Sequence, residues 1–263
     1  MDPAMIIGLA LAFGSLLAMI FLEGASVTSL LIPAPMILVF GATIAVAIAS
    51  STIRDSILAV KTLPHAFRGK LPSNDALIEQ LVHLAEVARR EGLLALEREA
   101  ESVDDPFLKR ALQQVADGTD AEELRDSLED ELDTRDRKNR TAAKFFSVMG
   151  GYAPTIGIIG TVVSLTHVLE YLESPETLGP AIATAFVATL WGLLSANFIW
   201  LPIGTRLSRL ADLEVDQLSL VLEGVMAVQA GAQPRLLAEK LRAMAPDRSS
   251  AAPAKQSSLQ EAA

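Results

Sequence analysis

One stretch decides the fold of this chain: residues 145–205, which read FFSVMGGYAPTIGIIGTVVSLTHVLEYLESPETLGPAIATAFVATLWGLLSANFIWLPIGT and contain neither lysine nor arginine. Residues 1–53 share this property, so that all 22 Lys and Arg residues fall within 54–144 or 206–255. Membrane-spanning segments avoid cations, and Lys and Arg beside them hold a membrane chain on the cytoplasmic side. The pattern predicts an integral membrane protein with two hydrophobic regions.

Each hydrophobic region has room for two transmembrane helices, because about 20 residues at about 1.5 Å per residue cross a hydrocarbon core of about 30 Å. The predicted spans cover, approximately, residues 5–22, 32–49, 145–169 and 181–203. The connections at 23–31 and 170–180 carry only acidic charges, whereas the segment 51–144 and the C-terminal tail carry the basic ones. Both basic segments, and with them both termini, are predicted to be cytoplasmic.

The expected fold is an all-α integral membrane protein with four transmembrane helices and a helical cytoplasmic domain between the second and the third. The first two transmembrane helices, with a short periplasmic loop, take residues 1–50, and the third and fourth take 145–204. The cytoplasmic domain takes 51–144, and C-terminal cytoplasmic helices take 205–245. The composition of residues 246–263, mainly Ala, Ser, Pro, Lys and Gln, predicts a disordered tail.

Caps and helix breakers subdivide the cytoplasmic segment. Asp105 followed by Pro106 predicts a helix start, because Asp satisfies free N–H groups and Pro fits the first helical position. Gly118 predicts the end of that helix, and Thr119 with Glu122 forms a capping-box pattern for the next one. This next helix is predicted to continue into the third span.

The predicted spans contain no Asp, Glu, Lys, Arg or His at depth. Ionisable groups are costly in a membrane and normally mark ion paths, so this chain alone has no evident proton carrier. The absence of cysteine excludes disulfides, thiol catalysis and Cys-ligated metals. Metal-ligand spacings, a nucleophile elbow and a phosphate-binding loop are also missing, and the net charge of −10 argues against binding nucleic acid. We therefore expect neither an enzyme nor a cofactor.

Small and hydroxyl-bearing residues form seams on the third and fourth predicted spans. On the third span the spacing places four of them on one face: Pro154, Gly157, Thr161 and Ser164. On the fourth span the seam consists of Ala181, Ala185, Ala188, Gly192 and Ser195, with Thr189 beside it. Such seams let membrane helices pack closely. Either they serve packing alone, with the prolines as ordinary kinks, or the hydroxyls of Thr161 and Thr189 also help to solvate an ion in transit.

Two further sets of polar residues have alternative interpretations. Arg89 and Glu97 are eight positions apart and would lie about 12 Å apart on a related helix face if the helix continued through Gly92. They are either a contact for a partner of complementary charge or a solvated face. His167, with Glu170 one turn further on, is either a proton-entry group near the outer end of the third span or has no such role.

Several motifs in this chain carry a family resemblance. They are Arg-x-x-Gly-(x)3-Leu-Glu at 89–97, Pro-x-x-Gly-x-x-Gly-Thr at 154–161, Ala-Thr-Leu-x-Gly at 188–192 followed by Pro202, and Glu223-Gly224 with Gly231 and Pro234 in the tail. In this order, and with two spans on each side of a large cytoplasmic loop, they resemble the MotA/PomA-type stator subunits of the bacterial flagellar motor, within the MotA/TolQ/ExbB proton channel family. The resemblance covers about residues 5–242.

The resemblance implies a particular assembly in the bacterial inner membrane, in contact with membrane lipid. Such subunits form a homo-oligomeric ring, a pentamer, around a dimer of a MotB/PomB-type partner. Each partner chain has a single span with an essential Asp, which would supply the carboxylate that this chain lacks. Ion passage would step the ring around the dimer, and the cytoplasmic domains would push the rotor.

The resemblance also implies roles for particular residues. The ion pathway and its conformational coupling would involve Pro154, Thr161, Thr189 and Pro202. Close helix packing would involve Gly157, Gly160, Ala188 and Gly192. The rotor's switch protein, of the FliG type, would be contacted by Arg89 and Glu97, which makes 51–144 a rotor-interaction domain.

The transported ion is predicted to be H⁺, with Na⁺ as the alternative. In sodium-type relatives the Thr of the fourth span is commonly preceded by another Thr, whereas Ala188 precedes Thr189 here. One oxygen ligand for Na⁺ is thereby lost. The segments 190–192 and 196–197, in contrast, resemble sodium-type sequences.

Two other functions fit the same composition. An ExbB/TolQ-type energiser of outer-membrane transport or envelope maintenance shares the ring-and-dimer logic, but that group usually has one span before its cytoplasmic domain and this chain has two. A membrane scaffold that conducts no ions would suit the unremarkable polar content of the spans.

Overall fold

A computed structural model describes residues 3–69, 73–170 and 175–245, and every regular element among them is helical. The α-helices, in chain order, are α1 (Ala4–Leu22), α2 (Pro33–Ala49), α3 (Ile53–Arg68), α4 (Asn74–Glu91), α5 (Leu96–Glu101), α6 (Pro106–Ala116), α7 (Ala121–Glu170), α8 (Pro175–Ser195), α9 (Leu201–Gln229) and α10 (Pro234–Met244). The all-α fold class is confirmed. The predicted disordered tail at 246–263 lies outside the described residues.

The chain forms two compact units, each built from two separate pieces of sequence. Unit 1 combines Met1–Leu71 with Asp133–Glu214, and unit 2 combines Pro72–Leu132 with Val215–Ala263. Unit 1 contains the apolar helices α1, α2 and α8 together with the amphipathic α3, and unit 2 contains the amphipathic helices α4, α6 and α10. The long helices α7 and α9 contribute residues to both units.

Three helical stretches of the described chain are long and apolar enough to cross a membrane: Ala4–Leu22, Ala121–Leu169 and Leu178–Gln229. The last stretch includes most of α8, a π-helical turn at Ala196–Trp200, and α9. Helix α2 is apolar but has 17 residues, somewhat fewer than the about 20 that usually span a bilayer. Large apolar side chains on these helices are exposed in the single chain, among them Leu22 and Ile37. Such surfaces mark contact with lipid or with other proteins.

Aromatic side chains pack α2 against α8 and against the π-helical turn that follows α8. The Phe40 ring lies 5.8 Å from that of Trp191 and 6.3 Å from that of Trp200, centroid to centroid. The indole N–H of Trp191 donates to the carbonyl of Leu30 at 2.7 Å. This bond ties α8 to the 3₁₀ turn (Val27–Leu30) that joins α1 to α2. A polar group is thus satisfied inside an apolar unit, where leaving it unpaired would cost free energy.

Unit 2 has an apolar core drawn from α4, α5, α6, α7, α9 and α10. Its fully buried side chains include Leu81, Phe107, Leu124 and Leu237. Gly224 lies at the contact of α9 with α4, where a Cβ atom would lie 2.7 Å from a methyl carbon of Leu81. The buried Leu81 side chain would have to repack around any larger residue at this position.

The predicted helix boundaries in this region hold with two corrections. Asp105 caps α6 as predicted, accepting from the N–H groups of Phe107 at 2.7 Å and Leu108 at 3.1 Å. The cap of α7 is Asp120 rather than Thr119: the Asp120 carboxylate accepts from the N–H of Glu122 at 3.0 Å. Asp is as good a cap as Thr, and the helix starts one residue later than the capping-box pattern indicated.

The second correction concerns Gly92, through which a helix would have had to continue for Arg89 and Glu97 to share a face. Helix α4 ends at Glu91, and Gly92 has a φ of +85°. Glycine adopts this left-handed backbone at little steric cost, so it stops the helix. Arg89 therefore lies on α4 and Glu97 on α5, with a 3₁₀ turn at Leu93–Ala95 between them.

Candidate ion pathway

Thr161 of α7 and Thr189 of α8 meet where these two helices pack against each other, and both side chains are partly buried. Their hydroxyl oxygens are in direct hydrogen-bond contact. The Thr161 oxygen also lies 3.1 Å from the carbonyl oxygen of Gly157 on its own helix and 3.1 Å from that of Ala185 on α8. Because a hydroxyl has one hydrogen and two lone pairs, Thr161 can donate to one of these oxygens while it accepts from Thr189. Two hydroxyls and two carbonyls thus form a small cluster of neutral oxygen atoms.

Glycines allow α7 and α8 to approach closely beside this oxygen cluster. A Cβ atom on Gly157 would lie 2.9 Å from the carbonyl oxygen of Ala188, and one on Gly192 would lie 2.7 Å from the carbonyl oxygen of Ala153. A Cβ on Gly160 would meet the Cβ of Ala188 at 2.9 Å. Close approach of backbones through small residues is the usual way in which membrane helices associate. The structure therefore brings together the four residues that the sequence indicated for helix packing.

Ala188 is fully buried against Gly160 in this packing. A Thr at this position would need space that the helix pair does not offer. An oxygen atom added at position 188 would therefore enter the contact between α7 and α8.

Pro154 and Pro202 interrupt the hydrogen bonding of α7 and α9 at neighbouring levels of unit 1. A proline has no N–H, so Pro154 leaves the carbonyl of Gly150 without its α-helical donor, and Pro202 donates no backbone hydrogen bond to the turn before it. A Cβ atom on Gly150 would lie 2.5 Å from the Leu201 side chain, so these two interruptions are in contact.

The π-helical turn at Ala196–Trp200 directly precedes Pro202. Such turns are rare, occur mostly within α-helices and are frequent at functional sites. In this turn the N–H of Leu201 donates to the carbonyl of Ala196, five residues back, immediately before Pro202. The sequence indicated the proline but not the π geometry.

The described part of the oxygen cluster contains no carboxylate, and no group of three or more His, Cys, Asp or Glu among the described residues could hold a metal ion. Neutral oxygens can solvate a passing cation but do not bind and release a proton at moderate pH. His167 lies exposed near the end of α7, and the side chain of Glu170, its predicted neighbour, lies outside the described residues.

Arg89 and Glu97 are both exposed in unit 2, and neither forms an ion pair with a described residue. Arg98 and Glu91 do pair, at 2.5 Å, across the turn that separates α4 from α5. This bond spans the break at Gly92 and helps to hold the two short segments together. Arg89 and Glu97 thus lie on either side of a turn that the Arg98–Glu91 pair bridges, and they do not share one helix face.

Glu223 forms a junction that sequence reasoning did not single out for this role. Its carboxylate accepts from Lys240 of α10 at 2.7 Å and from Arg125 of α7 at 3.2 Å. The hydrogen bond from Lys240, followed by that from Arg125, holds the pKa of the Glu223 carboxyl below its ordinary value, although burial opposes the shift. One carboxylate therefore links three helices of unit 2.

These features define a class of protein: an all-helical membrane protein whose closely packed apolar helices enclose a cluster of neutral oxygens. The family model described as "Motility protein A N-terminal" matches residues 6–92, and that of the "MotA/TolQ/ExbB proton channel family" matches residues 99–219. The chain is 36% identical over 246 residues to motility protein A of Bacillus subtilis (strain 168), covering 92% of this chain and 90% of the relative. It is 32% identical over 247 residues to chemotaxis protein PomA of Vibrio alginolyticus, covering 92% and 94%.

Solved structures give the same result. The structure of C. jejuni MotAB matches with a TM-score of 0.90 at 29% identity, over 94% of this chain and 97% of that one. The flagellar MotAB stator complex of Bacillus subtilis matches with a TM-score of 0.84 at 34% identity, over 93% and 96%. The chain belongs to the MotA/TolQ/ExbB proton channel family, within its motility protein A members. The resemblance found in the motifs is thereby confirmed.

Proposed function

We propose that the chain is a stator subunit of the bacterial flagellar motor, which couples ion flow to torque on the rotor. The observation that carries this proposal is the neutral oxygen cluster around Thr161 and Thr189, set between helices packed through glycine. The cluster can solvate an ion but offers no titrating group. A channel built on it needs a carboxylate from elsewhere.

A MotB/PomB-type partner supplies that carboxylate in this proposal. The solved relatives are a C. jejuni MotAB assembly and a Bacillus subtilis MotAB stator complex, so both contain a second protein. The partner has one span with an intramembrane Asp. A pentameric ring of this chain surrounds a dimer of the partner, and Thr161 and Thr189 lie next to the Asp.

The chain crosses the bacterial inner membrane four times, with both termini and unit 2 in the cytoplasm. Helix α2 forms the second span although it has 17 residues, and its apolar sequence and its packing on α8 support this assignment. The absence of Lys and Arg from 1–53 and 145–205 supports this topology. Residues 51–144 and 205–245 then form the cytoplasmic helices that meet the rotor.

Pro154 and Pro202 act as the conformational couplers. Neither donates a backbone hydrogen bond, and the two sites touch through Gly150 and Leu201. Protonation of the partner's Asp changes the balance between two arrangements of these helices. The membrane potential contributes about 2.3 kcal/mol per elementary charge per 100 mV, which bounds the work available from each ion.

The transported ion is H⁺ in this proposal. The close packing of Ala188 on Gly160 supports it, because position 188 cannot add an oxygen ligand without disturbing the helix pair. Na⁺ is the alternative that the test must separate.

The ExbB/TolQ-type energiser is a second candidate, since it belongs to the same family. The stator is favoured because α1 and α2 both precede the amphipathic helices and because a model of the motility protein A N-terminus matches residues 6–92.

The proposal is tested by expressing the chain with its partner in a motile species whose own stators have been deleted. Swimming should return, should persist without sodium, and should stop when a protonophore collapses the proton gradient. The control is the same pair with the partner's intramembrane Asp replaced by Asn, which should insert but leave the cells paralysed. Paralysis with the native pair despite membrane insertion would count against a stator, and swimming that requires sodium would overturn H⁺ as the ion.

A further inference from the structure

A cavity of about 260 Å³ opens in unit 1 where α2 gives way to α3, beside α7. It is lined by Ala47, Ser50, Ser51, Asp55, Thr141, Lys144, Phe145 and Val148. Pockets that enclose drug-sized ligands have about 300–1,000 Å³, so this one suits a smaller polar group. Its wall combines apolar, hydroxyl-bearing and charged side chains.

Two opposite charges face this cavity without neutralising each other. Neither the ammonium of Lys144 nor the carboxylate of Asp55 forms an ion pair with any residue in the described parts of the chain. Asp55 is half-buried and Lys144 is exposed. An occupant that carries both a negative and a positive group would satisfy the two side chains at once.

The hydroxyl groups of the cavity wall leave acceptors rather than donors available. Ser50 donates to the carbonyl of Val46 at 2.8 Å, Ser51 to that of Ala47 at 2.9 Å, and Thr141 to that of Arg137 at 2.8 Å. Each hydroxyl has one hydrogen, so the lone pairs of these oxygens remain free to accept. Together with the Asp55 carboxylate they form an acceptor-rich side that suits an amine with several N–H groups.

The cavity lies away from the ion pathway. Along α7, Phe145 is 16 residues before Thr161. At about 100° per residue this places the two side chains about 160° apart around the helix, and at about 1.5 Å per residue they are about 24 Å apart along it. Thr141 lies about 160° from Thr161 by the same reckoning. The cavity is therefore on the opposite face of α7 from the oxygen cluster.

The position of the cavity matches a membrane surface. Lys144 is the last cation before the cation-free stretch 145–205, and Asp55 follows the end of α2 by six residues. Basic side chains at this boundary commonly meet lipid phosphates on the cytoplasmic side.

We infer that this cavity binds the phosphoethanolamine head group of a phospholipid from the cytoplasmic leaflet. Lys144 pairs with the phosphate, while Asp55 and the hydroxyl oxygens accept from the ammonium. The apolar side chains of Ala47, Phe145 and Val148 contact the adjoining glycerol and first methylenes. No such assignment follows from ion conduction or from torque.

The test uses the chain purified with its partner, stripped of lipid, and offered equal amounts of phosphatidylethanolamine, phosphatidylglycerol and phosphatidylcholine with identical acyl chains. Retained lipid is counted by native mass spectrometry. Phosphatidylethanolamine should be retained about tenfold more than phosphatidylcholine, because three methyl groups remove the N–H donors that a charge-assisted hydrogen bond needs. Equal retention of these two lipids would overturn the inference.

Single substitutions test the phosphate-binding and the ammonium-binding side chains of the cavity separately. Lys144→Gln should lower retention of phosphatidylethanolamine about tenfold, whereas Lys144→Arg should keep it. Asp55→Asn should remove the preference over phosphatidylglycerol. Lys138→Gln, on the same helix but outside the cavity, is the matched control and should behave as the native chain does. Native retention by both Lys144→Gln and Asp55→Asn would overturn the inference, and an unchanged size of the complex shows that each variant has assembled.

Free O-phosphoethanolamine and inorganic phosphate distinguish the sources of the head group. Failure of free O-phosphoethanolamine to displace the lipid supports a membrane lipid, in which the acyl chains contribute. If O-phosphoethanolamine displaces the lipid and phosphate does not, the cavity recognises phosphoethanolamine as assigned, but its occupant is a soluble molecule rather than a lipid. Equal displacement by both would overturn the role of the amine. None of these measurements involves ion flow or swimming, so the inference and the proposed function can fail separately.

Discussion

Thr161 has one hydroxyl hydrogen but several oxygen neighbours. It therefore cannot donate a hydrogen bond to all of them at once. Whichever neighbour receives the hydrogen, an oxygen lone pair of the cluster remains available to a cation. Such oxygens replace part of the hydration shell that an ion loses in an apolar unit, where unpaired polar groups and charges are costly.

We therefore expect Thr161→Val to reduce proton flux about tenfold, since it keeps the shape of the side chain but removes its oxygen. Thr161→Ser should retain most of the flux. The measurement is the decay of a pH gradient in vesicles that contain the chain and its partner. Thr166→Val is the control, because Thr166 is exposed on the same helix and donates only to the carbonyl of Val162. Native flux in Thr161→Val would assign the threonine to packing alone.

Gly157 offers a test of the packing itself. An added Cβ would lie 2.9 Å from the Ala188 carbonyl oxygen, which belongs to backbone and cannot rotate away. We expect Gly157→Ala to destabilise the complex by about 1–3 kcal/mol, as overpacking does in other cores.

Thermal unfolding of the purified complex measures this loss. Gly151→Ala is the matched control on the same helix, because nothing lies within 4 Å of the Cβ that it would add. Its melting temperature should equal or exceed that of the native chain, since Ala favours helix over Gly. A Gly157→Ala complex as stable as the native one would show that α7 and α8 can separate at little cost.

At the scale of the elements, the sequence predicted most of what local chemistry controls. Gly118 and Asp105 mark helix ends because their backbone and side-chain preferences act within a few residues. The break at Gly92 was harder to predict: a glycine inside a helical pattern is tolerated in many helices, and here its positive φ ends one. The sequence indicates a helix interruption at Pro202 but not the π turn before it, because helices accommodate such interruptions in several ways.

The sequence predicted that the small residues of α7 and α8 share one face of each helix. It did not predict that the hydroxyls of Thr161 and Thr189 contact each other. Spacing of three and four residues places small residues on one side of a helix, whatever that side meets. Only the structure shows that Thr161 and Thr189 meet each other and reach the Ala185 carbonyl. The Glu223 junction was missed for a related reason, since its partners Arg125 and Lys240 come from distant parts of the sequence.

The Glu223 junction should make unit 2 sensitive to acid. Its folded-state pKa is lowered from the ordinary value of 4.5, so the stabilisation is fully present above that value and is lost as pH falls through the folded pKa. We expect Glu223→Gln to remove up to about 1 kcal/mol at pH 7 and nothing at a pH below the folded pKa.

Hydrogen exchange of the α10 amides in the whole complex measures this difference at both pH values. Glu129→Gln is the matched control: Glu129 also pairs with Arg125, at 3.4 Å, but only within α7. It should leave exchange in α10 unchanged. If Glu223→Gln exchanged like the native chain at pH 7, α10 would be held by its apolar face alone.

At the scale of the whole molecule, charge is sorted by position. The cation-free stretches 1–53 and 145–205 hold the neutral oxygen cluster, and unit 2 draws its cations from the rest of the chain. An oxygen cluster without a titrating group needs a carboxylate from a partner in the membrane, and a unit with exposed charge can meet a partner in water. Both needs fit a stator subunit better than a self-contained channel.

The last prediction concerns the exposed charges beside the turn at Gly92. Arg89 and Glu97 pair with no described residue, so the fold does not use their charges and reversing them should leave assembly intact. We expect Arg89→Glu and Glu97→Arg each to lower torque in cells that depend on this stator, measured from the rotation of tethered cells under fixed load.

Arg235→Glu is the control for added negative charge, because Arg235 is also exposed and, among the described residues, pairs only with Glu239 one turn away. An equal fall in torque in Arg89→Glu and Arg235→Glu would point to added negative charge rather than to this surface. Native torque in both Arg89→Glu and Glu97→Arg would make the surface a solvated face. A loss confined to Arg89 and Glu97 follows if a rotor protein of complementary charge docks here, because charge pairs set the orientation of such an encounter.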